Sequence, residues 1–144
     1  MMVPSWGGLQ MTRDEMLKLM GDGYTARVNG DVDKVLAVFT PDAKFTLNAA
    51  PPQPTVSVMT EGSGGMRTAL SQLVEAFEFK DLKIVDSVVE GSKAAIRIRF
   101  TVTSRATGKS AATESLDLIE FRDGKVASYT QFFDSAIADR LLAP

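Results

Sequence analysis

The chain reads as an α+β domain in which helices come first and a long antiparallel meander follows. Two observations predict this. Apolar residues recur at helical spacing ahead of Leu82, at Leu17, Met20, Tyr24 and Val28 and again at Met66, Leu70, Leu73 and Phe77. Behind Leu82 the chain reads as strand, punctuated by Glu90-Gly91-Ser92, Thr107-Gly108 and Asp123-Gly124, which are hairpin turn signals. Turns this short force neighbouring strands to run antiparallel. Segregation of helices and strands along the chain excludes a parallel α/β wrap and favours three helices laid across one face of a strongly curved sheet.

The first helix starts at Thr12, whose T-x-x-E spacing with Glu15 is that of a capping box. Gly21 and Gly23 each weaken this helix by about 1 kcal/mol relative to Ala, which points to close packing beside Tyr24. Asn29-Gly30 ends it. Asp31 caps a second, short helix over Val32–Phe39, and Pro41 stops that one. Lys44–Asn48 reads as the first strand. Residues 49–64, rich in Pro, Gly, Ser and Thr, read as a loop with a short strand at Thr55–Met59. Met66 to Phe77 mark the third helix. Strands follow at Leu82–Glu90, Lys93–Ser104, Ser110–Phe121 and Lys125–Asp134, and Ser135–Leu142 forms a short final helix. Residues 1–11 read as a tail and 12–144 as one domain.

Composition narrows the chemistry. A chain of 144 residues buries roughly 70% of its unfolded surface, enough for a core without staples. Cysteine is absent, which excludes disulfides, thiolate metal sites and a cysteine nucleophile. Histidine is absent too, which removes the usual neutral-pH acid/base and the commonest metal ligand. Proton transfer falls to Asp, Glu, Lys, Arg, Tyr or water. No carboxylate cluster stands at ligand spacing, so neither a metal nor a cofactor is implied. The net charge of −2 offers no basic footprint for nucleic acid. No apolar run approaches the ~20 residues that cross a bilayer, and the N-terminus lacks the pattern of a signal peptide. A cytoplasmic location, with no nucleic-acid or membrane partner, is the expectation.

The stretch from Tyr24 to Asp33, YTARVNGDVD, followed by Val38-Phe39-Thr40-Pro41-Asp42-Ala43, resembles the helix 1 to helix 2 signature of the ketosteroid-isomerase-like superfamily. This superfamily also contains the nuclear-transport-factor-like and SnoaL-like domains. Ile119 to Val126 and Phe132-Phe133-Asp134 resemble its last hairpin. The resemblance runs from Thr12 to Leu142. It implies a cone-shaped fold, with a curved antiparallel sheet wrapped around three helices and a central apolar pocket. It also implies a homodimer formed through the sheet. It does not select a function, because the superfamily hosts isomerases, aldol cyclases, dehydratases, epoxide hydrolases and non-catalytic binding domains.

Two positions are similar to the steroid isomerases. Tyr24 falls where those enzymes keep the tyrosine of their oxyanion hole. Asp117, four residues before Phe121, falls where they keep an aspartic acid that its apolar site holds protonated as a hydrogen-bond donor. Their general base, an aspartate on the first strand, has no counterpart: Leu47 takes that position, and neighbouring Asn48 cannot accept a proton as a base. The limonene-epoxide-hydrolase branch offers a second comparison. Asn48 resembles its first-strand asparagine, and Arg97 or Arg99 could supply its arginine. Gln131, however, stands where its last-strand aspartate belongs.

Strand alternation gives further assignments. Asp117 shares a face with Ser115, Ile119 and Phe121, while Leu116 and Leu118 take the other. It is either a pocket carboxyl with a raised pKa or an ion-pair partner of Arg97 or Arg99. A buried carboxyl with few partners costs folding energy, so Asp117→Leu is expected even to stabilise the fold. Arg97, Arg99, Thr101 and Thr103 belong to the outer face of the sheet or to a dimer interface. Tyr129, Gln131 and Phe133 form one face of the last strand, which by the resemblance lines the cavity. Met16, Met20, Met59 and Met66 make either a soft pocket wall or plain core.

Two classes of function follow. The first is a cofactor-independent isomerase, cyclase or dehydratase acting on a small hydrophobic carbonyl compound, with Asp117 and Tyr24 as its catalytic groups and Asn48, Gln131, Tyr129 and Phe133 binding substrate. The second is a non-catalytic small-molecule-binding module of the same fold. An epoxide hydrolase is a distant third.

Overall fold

The computed structural model describes residues 11–48 and 58–144, except for the side chain of Asn48. Helix α1 (Arg13–Val28) and helix α2 (Val32–Leu36) lead into strands β1 (Phe39–Asn48) and β2 (Val58–Glu61). Helix α3 (Ser63–Ala76) precedes the meander β3 (Phe77–Glu90), β4 (Lys93–Ser104), β5 (Ser110–Arg122) and β6 (Lys125–Phe133), and α4 (Ser135–Leu142) closes the chain. The fold is α+β: one curved, unclosed six-stranded sheet carrying four helices.

Local signals produce the local structure. The Thr12 hydroxyl accepts from Glu15 N at 3.1 Å and the Glu15 carboxylate accepts from Thr12 N at 2.8 Å, which completes the capping box. Asp31 caps α2 through Lys34 N at 3.1 Å. Asp123 and Gly124 both adopt positive φ, 53° and 77°, as a tight β5–β6 hairpin requires. A Cβ on Gly23 would meet Val38 Cγ2 at 3.4 Å, so this glycine marks a close approach, whereas Gly21 has open space around it.

The strand order is β2-β1-β6-β5-β4-β3. The meander pairs antiparallel throughout. Strand β1, however, joins the last strand β6 in parallel, with Phe45 beside Tyr129 and Leu47 beside Gln131. Several boundaries differ from the sequence reading. Helix α2 ends at Leu36, and Phe39 already belongs to β1. Val126 N donates to Val38 O at 2.8 Å, which draws the chain into the sheet before Pro41. Strand β3 starts at Phe77 because Phe77 to Lys80 pair with Thr101 to Ser104. The second strand lies at Val58–Glu61, and residues 55–57 of its expected span lie outside the described residues.

The core forms between the helices and the inner face of the sheet. Ile96, Ile98, Phe100 and Val102 of β4 point inward, and Met16, Met20 and Tyr24 of α1 pack onto that layer. Met66 is buried as well, whereas Met59 is 83% exposed and belongs to no inner wall.

Candidate functional site

The site is built on three elements whose inner faces converge. Alternation along β5 turns Ser115 and Asp117 inward, and both are buried. Antiparallel register places Gln131 of β6 directly opposite Asp117, and Tyr129 opposite Ile119. Helix α1 crosses this face and delivers Tyr24.

These side chains form one hydrogen-bonded cluster around the Asp117 carboxyl group. Tyr24 Oη and Tyr129 Oη each lie 2.6 Å from Oδ2. Gln131 Nε2 donates to Oδ1 at 3.1 Å and to Tyr129 Oη at 2.9 Å. Ser115 Oγ donates to Oδ1 at 3.3 Å. Tyr129 is held from the other side by the Phe45 ring, stacked at 5.5 Å and 9°, and by the edge of Phe39 at 6.0 Å.

Burial raises the pKa of Asp117, and the hydrogen bonds from Tyr129, Tyr24, Gln131 and Ser115 act in the opposite direction. Desolvation, joined by the adjacent Asp117 charge, raises both tyrosine hydroxyls, so neither serves as a base near neutral pH. The proton count of the cluster decides what it can do. With Asp117 ionised, both tyrosines donate to it. With Asp117 neutral, its own O–H donates to one tyrosine oxygen, and that tyrosine's O–H becomes available to the cavity.

The cavity has a volume of about 120 Å³ and a mostly aliphatic and aromatic lining, including Leu47, Phe79, Phe100 and Phe133. Tyr24, Tyr129 and Gln131 reach it, as do Thr113 and Arg27. Asp117 does not line it; the carboxyl stands behind the tyrosines that do. Helix α4 closes one side with Ile137, Ala138 and Leu141. Asp134, at the rim, is exposed and caps α4 through Ile137 N at 3.1 Å.

The structure therefore gathers Tyr24, Asp117, Tyr129 and Gln131, with Phe133 on the same cavity. The side chain of Asn48 lies outside the described residues. Arg97 and Arg99 are on the outer face and both pair with Glu114, at 3.3 and 2.7 Å. This removes the ion-pair reading of Asp117 and leaves the cavity without the arginine that an epoxide-hydrolase set would need from these positions. The expectation that Asp117→Leu stabilises the fold is overturned too, since the carboxyl has four partners and not few. Arg27 was missed as a site residue. It follows Tyr24 by three positions, so helical spacing alone places both on one face. Among the described residues no three Asp or Glu side chains gather as a metal site, and no helix is long and apolar enough to cross a membrane.

Solved structures share this architecture. An NTF2-like protein of unknown function from Burkholderia pseudomallei superposes with a TM-score of 0.78 at 19% identity, over 93% of this chain and 100% of the other. A candidate isomerase from Bacillus subtilis gives 0.80 at 12% identity, over 89% and 92%. A candidate polyketide cyclase from Xanthomonas campestris gives 0.73 at 17% identity, over 91% and 98%. At these identities the likeness is one of fold. No curated protein sequence gives a significant match. Residues 22–129, which include Tyr24, Asp117 and Tyr129, match the SnoaL-like domain, and the chain belongs to that family.

Proposed function

We propose that this protein binds a small, largely apolar carbonyl compound in the cavity. It then acts as a cofactor-independent isomerase, cyclase or dehydratase by polarising the carbonyl oxygen while water takes the proton released from the α-carbon. One observation carries the reading: two tyrosine hydroxyls share a single buried carboxylate oxygen at 2.6 Å each, at the polar end of an apolar cavity. Donors fixed in place before the ligand arrives stabilise charge that develops on an oxygen, because no reorganisation is needed during reaction. In this reading one tyrosine of the Tyr24–Tyr129 pair, the one whose hydroxyl a neutral Asp117 frees, donates to the carbonyl. Asp117 positions them and holds the proton that frees one of them. Gln131 orients Tyr129.

The test is deuterium uptake. Cyclic ketones and enones are incubated with the protein in D2O, and exchange at the α-carbon is followed by NMR. Faster exchange than in buffer, reduced about 10²-fold in Asp117→Asn, is the expected result; a donor of this kind contributes on that order. Unchanged exchange with either protein would sink the catalytic reading.

A second reading, a binding module without turnover, has its own support. Leu47 occupies the β1 position beside Gln131 where a base would be needed, and the cavity lining away from the rim carries no carboxylate. Ketone binding with no exchange would select it.

We further propose a homodimer through the outer sheet face. Val88, Ala95, Leu118 and Thr130 lie side by side across β3, β4, β5 and β6, with Leu116 next to Phe132 in the adjoining row. Val88, Leu116, Leu118 and Phe132 are all exposed. A contiguous apolar patch of this kind marks an association surface.

A further inference from the structure

The cavity holds one group that carbonyl polarisation does not use. Arg27 lines it, three residues beyond Tyr24 on the same face of α1. Its guanidinium carbon lies over the Phe79 ring, 3.8 Å from the centroid. Nη2 donates to Phe77 O at 3.0 Å and to Leu73 O at 3.4 Å, at the C-terminal end of α3. That contact caps the helix and meets its partial negative charge. It occupies a single nitrogen, whereas a guanidinium offers five N–H donors in a fixed fork. Among the described residues no carboxylate lies within ion-pair distance of Arg27: the seven ion pairs link other residues. Desolvation, opposed by Tyr129 and aided by the Arg105 charge, pulls its pKa down to about 10, so it stays cationic at neutral pH. Of the charged groups on the lining, the other is Asp134, exposed at the rim and engaged in capping α4.

We infer that Arg27 is an anchor for a ligand carboxylate, and that the cavity takes an oxo-carboxylic acid: a carbonyl oxygen at the tyrosine pair, an apolar body, and a carboxylate on the Arg27 fork. This deepens the carbonyl-binding reading and rests on it. Side chains at i and i+3 of a helix stand roughly 5–6 Å apart at Cβ. The ligand of this proposal carries its ketone and carboxylate on one short apolar spacer. The charge count selects a monoanion. One cation in a low-dielectric cavity is matched by one negative charge, whereas a phosphate dianion would leave a second charge buried and unpaired. Phe79 and the α3 carbonyls hold the fork in place, so little side-chain freedom is lost when a carboxylate docks.

The probes are 4-oxo-4-phenylbutanoate and its methyl ester, which share ketone and aromatic body and differ in charge. Calorimetric titration of the wild-type protein should show the carboxylate binding about 10- to 100-fold tighter than the ester, the scale of a charge-assisted bidentate contact. Arg27→Gln should erase that preference and leave ester binding within about twofold, which also reports that the cavity is intact. Equal affinity for both probes in the wild type, or a preference that persists in Arg27→Gln, overturns the Arg27 assignment while the carbonyl-binding reading stands. Binding of neither probe overturns both. The wild-type ratio needs no variant, so instability of Arg27→Gln does not shield the inference.

Discussion

Asp117 and Tyr129 stand on adjacent antiparallel strands, and the tyrosine hydroxyl lies 2.6 Å from the carboxylate oxygen that Tyr24 reaches from α1. A buried carboxyl thus serves as the common acceptor for side chains from three separate elements. Its removal does not relieve the core of a lone polar group; it strands the partners. Asp117→Leu should lose about 2–4 kcal/mol of stability, since each polar group left without a partner costs roughly 1–3 kcal/mol and cavity water rescues some of them. Asp117→Asn, which keeps one acceptor oxygen, should lose about 1 kcal/mol. Urea unfolding of the three proteins measures this, and a Leu variant as stable as wild type would contradict the cluster.

The same carboxyl makes stability pH-dependent. Its folded pKa is raised by burial above the unfolded value of roughly 3.9. Between those two values the native state holds a proton that the unfolded chain has released. Its contribution is therefore fully present below about pH 4 and is lost as pH rises through the folded pKa. Asp117→Asn has no such proton, so wild type should lose stability relative to that variant as pH rises from 4, by at most about 1.4 kcal/mol per pH unit. Urea unfolding from pH 4 to 8 gives both curves. Parallel curves, or a gap moving the other way, would place an ionised carboxylate in the fold at all these pH values.

The two tyrosines are not equivalent. Tyr129 also accepts from Gln131, whereas Tyr24 has Asp117 as its hydroxyl partner among the described residues. Tyr129→Phe should therefore destabilise the protein more than Tyr24→Phe, each by about 1 kcal/mol or somewhat more. Either change should weaken ketone binding several-fold. Because both hydroxyls share one oxygen, the double variant should lose less than the sum of the singles. Thermal melts and ketone titrations of the four proteins test this, and strict additivity would argue that the hydroxyls act independently.

The outer sheet face predicts an assembly. Leu118→Glu places a charge at the centre of the exposed patch formed with Val88, Leu116 and Phe132 without touching the inner face. Sedimentation at micromolar concentration should show wild type near twice the 15.5 kDa chain mass and the variant near one chain mass, with an unchanged circular dichroism spectrum. A wild-type monomer would leave this face without a partner.

What the sequence by itself determined was whatever depends on neighbours along the chain. Strand alternation sent Asp117 inward with Ser115 and sent Leu116 and Leu118 outward. The Thr12–Glu15 box and Asp123-Gly124 specified a helix start and a hairpin, and both form as read. The resemblance to the steroid isomerases singled out Asp117, four residues before Phe121, and the i,i+3 spacing of Tyr24 and Arg27 put both on one helix face. The tertiary structure alone decided which groups meet. Tyr24 is 93 residues from Asp117, and no local periodicity says that its hydroxyl and that of Tyr129 reach one oxygen. Parallel pairing of β1 with β6 brings Phe45 onto Tyr129 and Leu47 beside Gln131, a register set by closure of the whole sheet and not by any turn. The same packing withdrew Asp117 behind the tyrosines and laid Arg27 on Phe79, because buried polar groups settle where distant backbone and side chains can satisfy them.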